Sequence, residues 1–221
     1  MDWHDWHRVY DDPDSVHARR LLTVRARIGE VLDAAPPGTV RVVSVCAGQG
    51  HDLLGVLAAH PRRADVRARL VERDPRNAAA ARATVAGLGL GERVEVVTGD
   101  AALVRNYADV APAALVLLCG VLGNVADEGM EDAVDRVSRL CAPGGTLVWT
   151  RNRKEPDRVP RVCAWLEARG FTRDSLSPPD VRQAVAAHRR TGPAAPLPPP
   201  DAPMFDFVGY DVLAEREGRD G

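Results

Sequence analysis

The stretch VRVVSVCAGQGHD, residues 40–52, joins a run of β-branched residues to a turn of small residues. The run is mostly apolar and lacks regular alternation, which is typical of a strand buried on both faces of a parallel sheet. Glycine adopts positive φ and lets the backbone approach a ligand closely, so Gly48 and Gly50 predict a tight turn where this strand ends. The turn closes with His51 and Asp52, two polar residues at the start of the next predicted helix.

Strands and helices alternate on both sides of this turn. Strands are predicted at 40–46, 66–72, 93–98, 114–119, 145–151 and 171–176, with helices at 14–34, 51–59, 75–88, 128–140 and 157–169. The alternation predicts an α/β fold, a Rossmann-like doubly wound sheet of mostly parallel strands with right-handed crossovers. Residues 181–190 fit either a helix or a strand. FDFVGYDVL, residues 205–213, is predicted as the last, antiparallel strand of a seven-stranded sheet, and the proline-dense loop 192–203 as the connection leading to it.

The length of 221 residues fits one domain, covering 1–221. Within it we expect an N-terminal helical lid (1–36), a cofactor-binding core (40–151) and a C-terminal part of the sheet (152–221). Hydrophobic residues make up 45% and charged residues 27% of the chain, ordinary values for a globular protein. The net charge of -2 argues against a nucleic-acid partner, which favours a basic surface.

Several features predict a cytoplasmic protein. No apolar run approaches the roughly 20 residues that a membrane span needs, and the N-terminus, MDWHDWHRVYDD, has no signal-peptide pattern. The cysteines are far apart and form no C-x-x-C pair, so they are interpreted as buried free thiols: Cys46, Cys119, Cys141 and Cys163. We expect neither a membrane partner nor a metal site, although DWHDWHR carries His and Asp close together.

Acidic residues mark the carboxyl ends of the second and third predicted strands: Glu72 ends the second, and Asp100 follows the third. In an open parallel sheet the ligand lies beyond the carboxyl ends of the strands, where Glu72 and Asp100 fall. A carboxylate at the first position can accept hydrogen bonds from a ribose diol, and the second can meet an adenine. A dinucleotide fingerprint needs a third glycine where this chain has Leu53. Asp52 would repel a pyrophosphate but suits a cationic cofactor, which points to S-adenosylmethionine.

The sequence resembles the class I S-adenosylmethionine-dependent methyltransferases, in particular those that act on small molecules. VVSVCAGQGHD, LVERDP, VVTGDAA, ALVLLCGVLGN and LCAPGGTLVW are similar to successive motifs of that family. The family usually has a carboxylate at the position of Ser44 and glycine at that of Cys46, and Asp52 is a candidate replacement for the missing carboxylate. The resemblance implies these cofactor-binding residues: Cys46, Ala47, Gly48, Gln49, Gly50, Asp52, Glu72, Arg73, Asp100, Ala101, Cys119 and Gly120.

The segment DWHDWHRVYDD, residues 2–12, has aromatic residues at helical spacing. It fits either a helix packed on the core or a lid that closes over a substrate. Under the second interpretation, the predicted acceptor-contacting residues are Trp3, Trp6, His7 and, after the fourth strand, Asn124. Tyr10 and His51 are the candidate catalytic residues, because one of them could orient the acceptor or remove its proton.

These patterns predict an enzyme that transfers the methyl group of S-adenosylmethionine in line to a small molecule. An aromatic or indole-type specialised metabolite is favoured, including a tryptophan-derived cyclic dipeptide. An RNA or protein methyltransferase is the first alternative, since arginines cluster at 19–27 and 151–158. A nucleotide-binding protein of the same fold without catalytic activity is the second. The sequence leaves the choice between a monomer and a homodimer open.

Overall fold

The computed structural model describes residues 2–217 and contains one seven-stranded sheet in the order β3-β2-β1-β4-β5-β7-β6. The strands are β1 (Val40–Val45), β2 (Val66–Glu72), β3 (Val94–Thr98), β4 (Ala113–Leu118), β5 (Cys141–Asn152), β6 (Phe171–Leu176) and β7 (Gln183–Arg190). The helices are α1 (Trp3–Trp6), α2 (Val16–Ala34), α3 (Leu53–Leu57), α4 (Pro75–Gly87), α5 (Asp127–Ser138), α6 (Val159–Ala168) and α7 (Tyr210–Glu217). The predicted doubly wound, mostly parallel sheet is confirmed.

The side chains of β1 show why the sheet is covered on both faces. Val40 and Val42 point into a core formed with α2, α3 and α4, whereas Val43 and Val45 point into a second core formed with α5 and α6. All four are at most 2% exposed. Strand β1 pairs in parallel with β2 on one side and with β4 on the other, so the strand order reverses at β1. A crevice at the carboxyl end of β1 follows from that reversal.

The antiparallel strand is β7, which lies between β5 and β6 and runs against both. The ambiguity of residues 181–190 is thus settled as a strand. Two polar groups explain the ambiguous pattern: His188 is fully buried and accepts a hydrogen bond from Trp149 Nε1 at 3.1 Å, and Arg190 donates to the carbonyl of Ser138 at 2.7 Å. Burial lowers the pKa of His188 to about 4, so the ring is neutral and can accept this bond through Nδ1.

The predicted strand at 205–213 is wrong. Residues 205–209 are irregular, Gly209 has φ +95°, and α7 begins at Tyr210. The alternating apolar residues, Phe205 and Phe207, pack individually against the core and do not form a ladder. A segment that alternates because it lies half-buried over the protein has the same sequence pattern as a strand.

The loop at 192–203 therefore does not connect two strands; it connects β7 to the segment before α7. It crosses the loop that follows β3, where Leu103 and Pro203 form an isolated antiparallel bridge. The Met204 N–H donates to the Ala102 carbonyl at 2.8 Å, and the Arg105 N–H donates to the Pro200 carbonyl at 2.9 Å. These bonds fix residues 205–213 against the end of the sheet where β1 to β4 terminate.

All four cysteines are free thiols; Cys141 and Cys163 are buried, whereas Cys46 and Cys119 are half-buried. Among residues 2–217, no helix is both long enough and apolar enough to cross a membrane.

Candidate active site

A cavity of about 1240 Å³ lies at the carboxyl ends of β1, β2 and β4, where the strand order reverses. The sequence-predicted site residues that line it are Trp3, Trp6, His7, Tyr10, Cys46, Ala47, Gly48, His51, Asp52, Glu72, Arg73, Asp100, Ala101, Cys119, Gly120 and Asn124. Of the predicted residues, Gln49 and Gly50 are absent from the lining.

The turn after β1 forms the floor of the cavity. Cys46, Gly48 and Gly50 have φ of 52°, +56° and +74°, so the chain coils through left-handed conformations that bring backbone groups to the cavity wall. Gly50 supports the turn from behind, because a Cβ there would come within 2.8 Å of Leu54. Gln49 has a similar supporting role, since its Nε2 donates to Asn77 Oδ1 at 3.1 Å.

Glu72 ties this turn to the end of β2. Its Oε2 accepts the Gly48 N–H at 2.8 Å and its Oε1 accepts the Asp74 N–H at 2.8 Å. Burial raises the pKa of the carboxyl, while these backbone bonds act in the opposite direction. Each carboxylate oxygen has a second lone pair that can accept a further hydrogen bond from the cavity.

Asp52 and Asp100 lie at two other strand ends. Asp52 Oδ1 accepts the Leu53 N–H at 2.7 Å at the start of α3, and burial raises the pKa of this carboxyl. Asp100 is exposed, and its Oδ1 accepts the Ala102 N–H at 2.9 Å. Ser44 stands where the family that the sequence resembles usually has a carboxylate. It is uncharged and only 1% exposed.

The end of β4 is held by polar bonds. The Gly120 N–H donates to Thr150 Oγ1 at 2.9 Å, and the Gly120 carbonyl accepts from Asn124 Nδ2 at 2.7 Å. Asn124 is 5% exposed, and its own carbonyl accepts the Val208 N–H at 2.9 Å. Asn124 therefore braces the turn and the C-terminal segment while lining the cavity.

Three rings from two distant segments meet above the turn. The ring centroids of His51 lie 5.3 Å from Tyr10 and 5.5 Å from His7, and those of His7 and Tyr10 are 5.8 Å apart. The Trp6 ring packs edge-on against Tyr10 at 5.6 Å. His7 lies directly over Gly48, since a Cβ on that glycine would be 2.5 Å from the imidazole Cε1 and Nε2.

Burial keeps all three of these rings neutral near pH 7. It lowers the pKa of His7 to about 4, with the neighbouring His51 as the next cause. The pKa of His51 is lowered by burial and then by the Arg25 charge, and the pKa of Tyr10 is raised by burial. A neutral imidazole can accept a proton, whereas a protonated phenol can donate a hydrogen bond.

The segment carrying the rings, residues 2–11, is fastened at its other end as well. Arg76, on α4, donates to both carboxylate oxygens of Asp2 at 3.0 and 2.9 Å. His4 Nδ1 lies 3.2 Å from Asn77 Oδ1, and the Trp3 ring packs edge-on against Phe207 at 5.7 Å. This N-terminal segment thus spans the cavity from α4 to the C-terminal segment.

Residues 17–160 match a family model described as "Putative methyltransferase". The chain belongs to this methyltransferase family. No curated protein sequence matches it.

Solved structures of methyltransferases share the fold of this methyltransferase. An O-methyltransferase family protein from Burkholderia thailandensis is 19% identical with a TM-score of 0.59; the match covers 86% of this chain but 64% of that protein. Magnesium protoporphyrin IX methyltransferase from Synechocystis, solved with S-adenosylmethionine bound, is 14% identical with a TM-score of 0.63, covering 84% and 89%. The CurJ carbon methyltransferase is 15% identical with a TM-score of 0.68, covering 84% and 57%. The predicted class, a methyltransferase that uses S-adenosylmethionine and has the class I fold, is confirmed at the level of family and fold.

Several wall residues of the methyltransferase escaped the sequence analysis. Phe205 and Phe207 were assigned to a strand, although their aromatic character alone could have marked them as cavity residues. Thr150 and Asn77 lie inside regular elements with no pattern to single them out. Arg20 was one of several arginines on an amphipathic helix, and only the tertiary structure separates it from its neighbours. Among residues 2–217, no three His, Cys, Asp or Glu side chains are grouped to hold a metal ion.

Replacing Gly48 with Ala tests the contact between the N-terminal segment and the turn. The new Cβ would lie 2.5 Å from His7, and alanine would have to keep φ at +56°, which costs about 1–2 kcal/mol. We expect the free energy of unfolding to fall by about that amount and amide exchange of residues 3–10 to accelerate, because His7 must move.

Gly123→Ala is the matched control for this substitution. Gly123 lines the same cavity, but a Cβ there would meet nothing within 4 Å. Equal exchange rates in the two variants would show that His7 does not rest on Gly48.

Proposed function

We propose that this methyltransferase transfers a methyl group to a small aromatic or indole-type acceptor of specialised metabolism, with a tryptophan-derived cyclic dipeptide as a specific candidate. The observation that carries the proposal is the two-sided cavity. One side is the glycine-rich turn with Glu72, and the other is an aromatic wall that includes Trp3, Trp6 and Phe207. At about 1240 Å³ it exceeds the roughly 300–1,000 Å³ of a pocket for one ligand, so it has room for a cofactor and an acceptor together.

The residues of the first side fit S-adenosylmethionine. Glu72 keeps acceptor capacity for the two ribose hydroxyls after its bonds to the backbone. Asp52 supplies a carboxylate at the end where the cationic part of the cofactor would lie. His7 Nδ1 and Asn77 Nδ2 are buried polar atoms with no hydrogen-bond partner among residues 2–217, and both residues line this wall. A polar ligand would remove that deficit.

The remaining cofactor contacts follow from the positions around the turn. Arg73, Asp100 and Ala101 would border the adenine, because they follow β2 and β3 at the cavity edge. Cys119 and Gly120, at the end of β4, would lie near the methionine part beside Cys46 and Ala47. Each of these assignments combines the position of the residue in the cavity with the family motif that the residue matches.

The ring cluster supplies the groups needed at the acceptor. When bound, the cofactor offers an electrophilic methyl group on a sulfonium centre. The acceptor contributes the electron pair of the new bond and loses a proton, which neutral His51 can accept and later release to water. Tyr10 keeps its own proton at neutral pH and can orient the acceptor through a hydrogen bond. The N-terminal segment acts as the lid, since its tryptophans cover the cavity and exclude water.

A methyl-transfer assay with a defined acceptor panel tests the proposal. The purified protein is incubated with S-adenosylmethionine and, separately, with a tryptophan-containing cyclic dipeptide, a cyclic dipeptide of aliphatic residues, a transfer RNA and a mixed peptide pool. We expect the indole compound alone to gain one methyl group in the mass spectrum. Methylation of the RNA or the peptides would replace the proposal with the macromolecular alternative.

Two further parts of the proposal concern the location of the protein in the cell and the alternative of a protein that binds the cofactor without catalysis. A cytoplasmic location is consistent with the four free thiols. Tight binding of S-adenosylhomocysteine without transfer to any member of the panel would favour a nucleotide-binding protein that lacks catalytic activity.

A further inference from the structure

Two arginines of α2 reach the two candidate catalytic residues. Arg20 Nη2 donates to the Tyr10 hydroxyl oxygen at 2.7 Å. Arg25 donates through Nε and Nη2 to the His51 carbonyl at 2.9 and 2.6 Å. The tyrosine belongs to the lid and the histidine to the turn after β1, so one helix contacts both halves of the ring cluster.

The bond from Arg20 fixes the orientation of the Tyr10 hydroxyl. A guanidinium can only donate, so the phenol oxygen must be the acceptor. The single hydroxyl proton of Tyr10 therefore points away from Arg20 and stays available to another acceptor. The same charged bond holds the lid on the core, together with the bond from Ser15 Oγ to the Val9 carbonyl at 2.8 Å.

The bond from Arg25 fixes the backbone from which the His51 ring projects. The guanidinium forks onto one carbonyl and lies against α3, where Gly55 leaves space for it. A Cβ on Gly55 would be 2.4 Å from Arg25 Cζ and Nη2. Glycine is a poorer helix former than alanine, so α3 is less stable at this position than it would be with alanine, and the missing Cβ leaves room for the arginine.

Helix α2 is rigid enough to act as a common frame. Val24, Ile28 and Leu32 are at most 1% exposed and pack into the core on the side of α2 that faces β5 and β7. Its first turn is capped by Ser15 Oγ, which accepts the Ala18 N–H at 3.0 Å. Groups attached to such a helix keep their mutual distance better than groups on two loops.

We propose that Arg20 and Arg25 are positioning residues that set Tyr10 and His51 at working distance from one helix, so that the pair is assembled only when the lid is docked on Arg20. The inference rests on the proposed function of the pair. It predicts that loss of either arginine bond lowers the turnover number while the cofactor half of the site stays intact.

Gly55→Ala tests the Arg25 half without altering any residue of the cluster. The added methyl group displaces the guanidinium, which is the flexible end of its side chain. We expect kcat to fall about tenfold or more with KM for the acceptor and the affinity for S-adenosylhomocysteine within twofold of the parent. Gly29→Ala is the control: it lies on α2, a Cβ there meets nothing within 4 Å, and kcat should stay at the parent value.

Nuclear magnetic resonance titration of His51 gives a readout that a merely structural role would not move. The charged and titratable groups acting on this ring are Arg25, Asp11, His7 and Tyr10. Because Arg25 lowers the pKa of His51, its displacement in Gly55→Ala should raise that pKa, whereas Gly29→Ala should leave it unchanged. The resonance is assigned by its loss in His51→Asn.

Arg20→Lys and Arg20→Met test the other half. Lysine keeps a charged donor and should restore part of kcat, whereas methionine keeps only the apolar stem and should lower kcat about tenfold or more. The inference would be overturned if kcat were equal in Gly55→Ala, Gly29→Ala, Arg20→Lys and Arg20→Met and if the pKa of His51 were unchanged in Gly55→Ala. If the parent protein methylates no acceptor, the proposed function fails, and the titration with the S-adenosylhomocysteine affinity still decides whether Arg25 positions His51.

Discussion

A chain lacking residues 1–11 is expected to stay folded and to lose methyl transfer by about 100-fold or more. None of residues 3–10 is fully buried, although some are half-buried, and none of residues 2–17 belongs to either core cluster. Their removal deletes His7 and Tyr10 and opens the aromatic wall to water. Loss of the orienting Tyr10 hydroxyl lets the acceptor shift, and a misplacement of about 1 Å costs about 100-fold in rate; loss of water exclusion adds to it.

The truncation is assessed by circular dichroism, by thermal unfolding and by the transfer assay with the acceptor found in the panel. Arg8→Ala is the control within the same segment, because the Arg8 side chain is 80% exposed and forms an ion pair with Asp5 at 3.5 Å. We expect that variant to retain full activity. A truncated protein as active as the intact one would show that residues 1–11 are not a functional lid.

The second large effect is expected for Glu72→Ala. This change removes both carboxylate oxygens that are proposed to accept the ribose hydroxyls, and it leaves the N–H groups of Gly48 and Asp74 without their partner. Calorimetric titration with S-adenosylhomocysteine should show binding weakened by about 1.5–3 kcal/mol, which is roughly 10–150-fold. The affinity of Glu72→Gln for S-adenosylhomocysteine should lie between those of the parent protein and Glu72→Ala. An amide keeps one acceptor oxygen but places a donor against one of the N–H groups.

Glu95→Ala controls for the loss of a sheet carboxylate. Glu95 lies on neighbouring β3, its side chain is 63% exposed, and it pairs with Arg69 outside the cavity. Its removal should leave the affinity unchanged. If Glu72→Ala and Glu95→Ala bind S-adenosylhomocysteine alike, Glu72 does not hold the ribose.

The positions of the proposed cofactor-binding residues were predictable because their signals are local and ordered along the chain. The turn at Gly48 and Gly50 and the carboxylate of Asp100 follow strands, and Glu72 is the last residue of β2. A parallel sheet brings all such strand ends to one edge. Knowledge of the strands alone therefore places these residues together, and the structure finds each of them at or directly behind one cavity wall.

The remaining parts depend on contacts between segments far apart in sequence. Nothing local distinguishes Arg20 from the other arginines of α2, because its role arises from Tyr10 beside it in space. The contact of His7 with Gly48 joins positions 41 residues apart. Residues 205–213 were assigned to a strand since half-burial under a neighbouring surface produces the same alternation as a ladder.

The two halves of the cavity also differ in their relation to the family match. The matched residues, 17–160, contain the glycine-rich turn and Glu72, whereas Trp3, Tyr10 and Phe207 lie outside it on either side. The proposed acceptor wall is thus built from two peripheral segments that meet across the cavity at the Trp3–Phe207 contact. We therefore expect that grafting both segments from a relative would change the acceptor while leaving the proposed cofactor-binding residues unaltered.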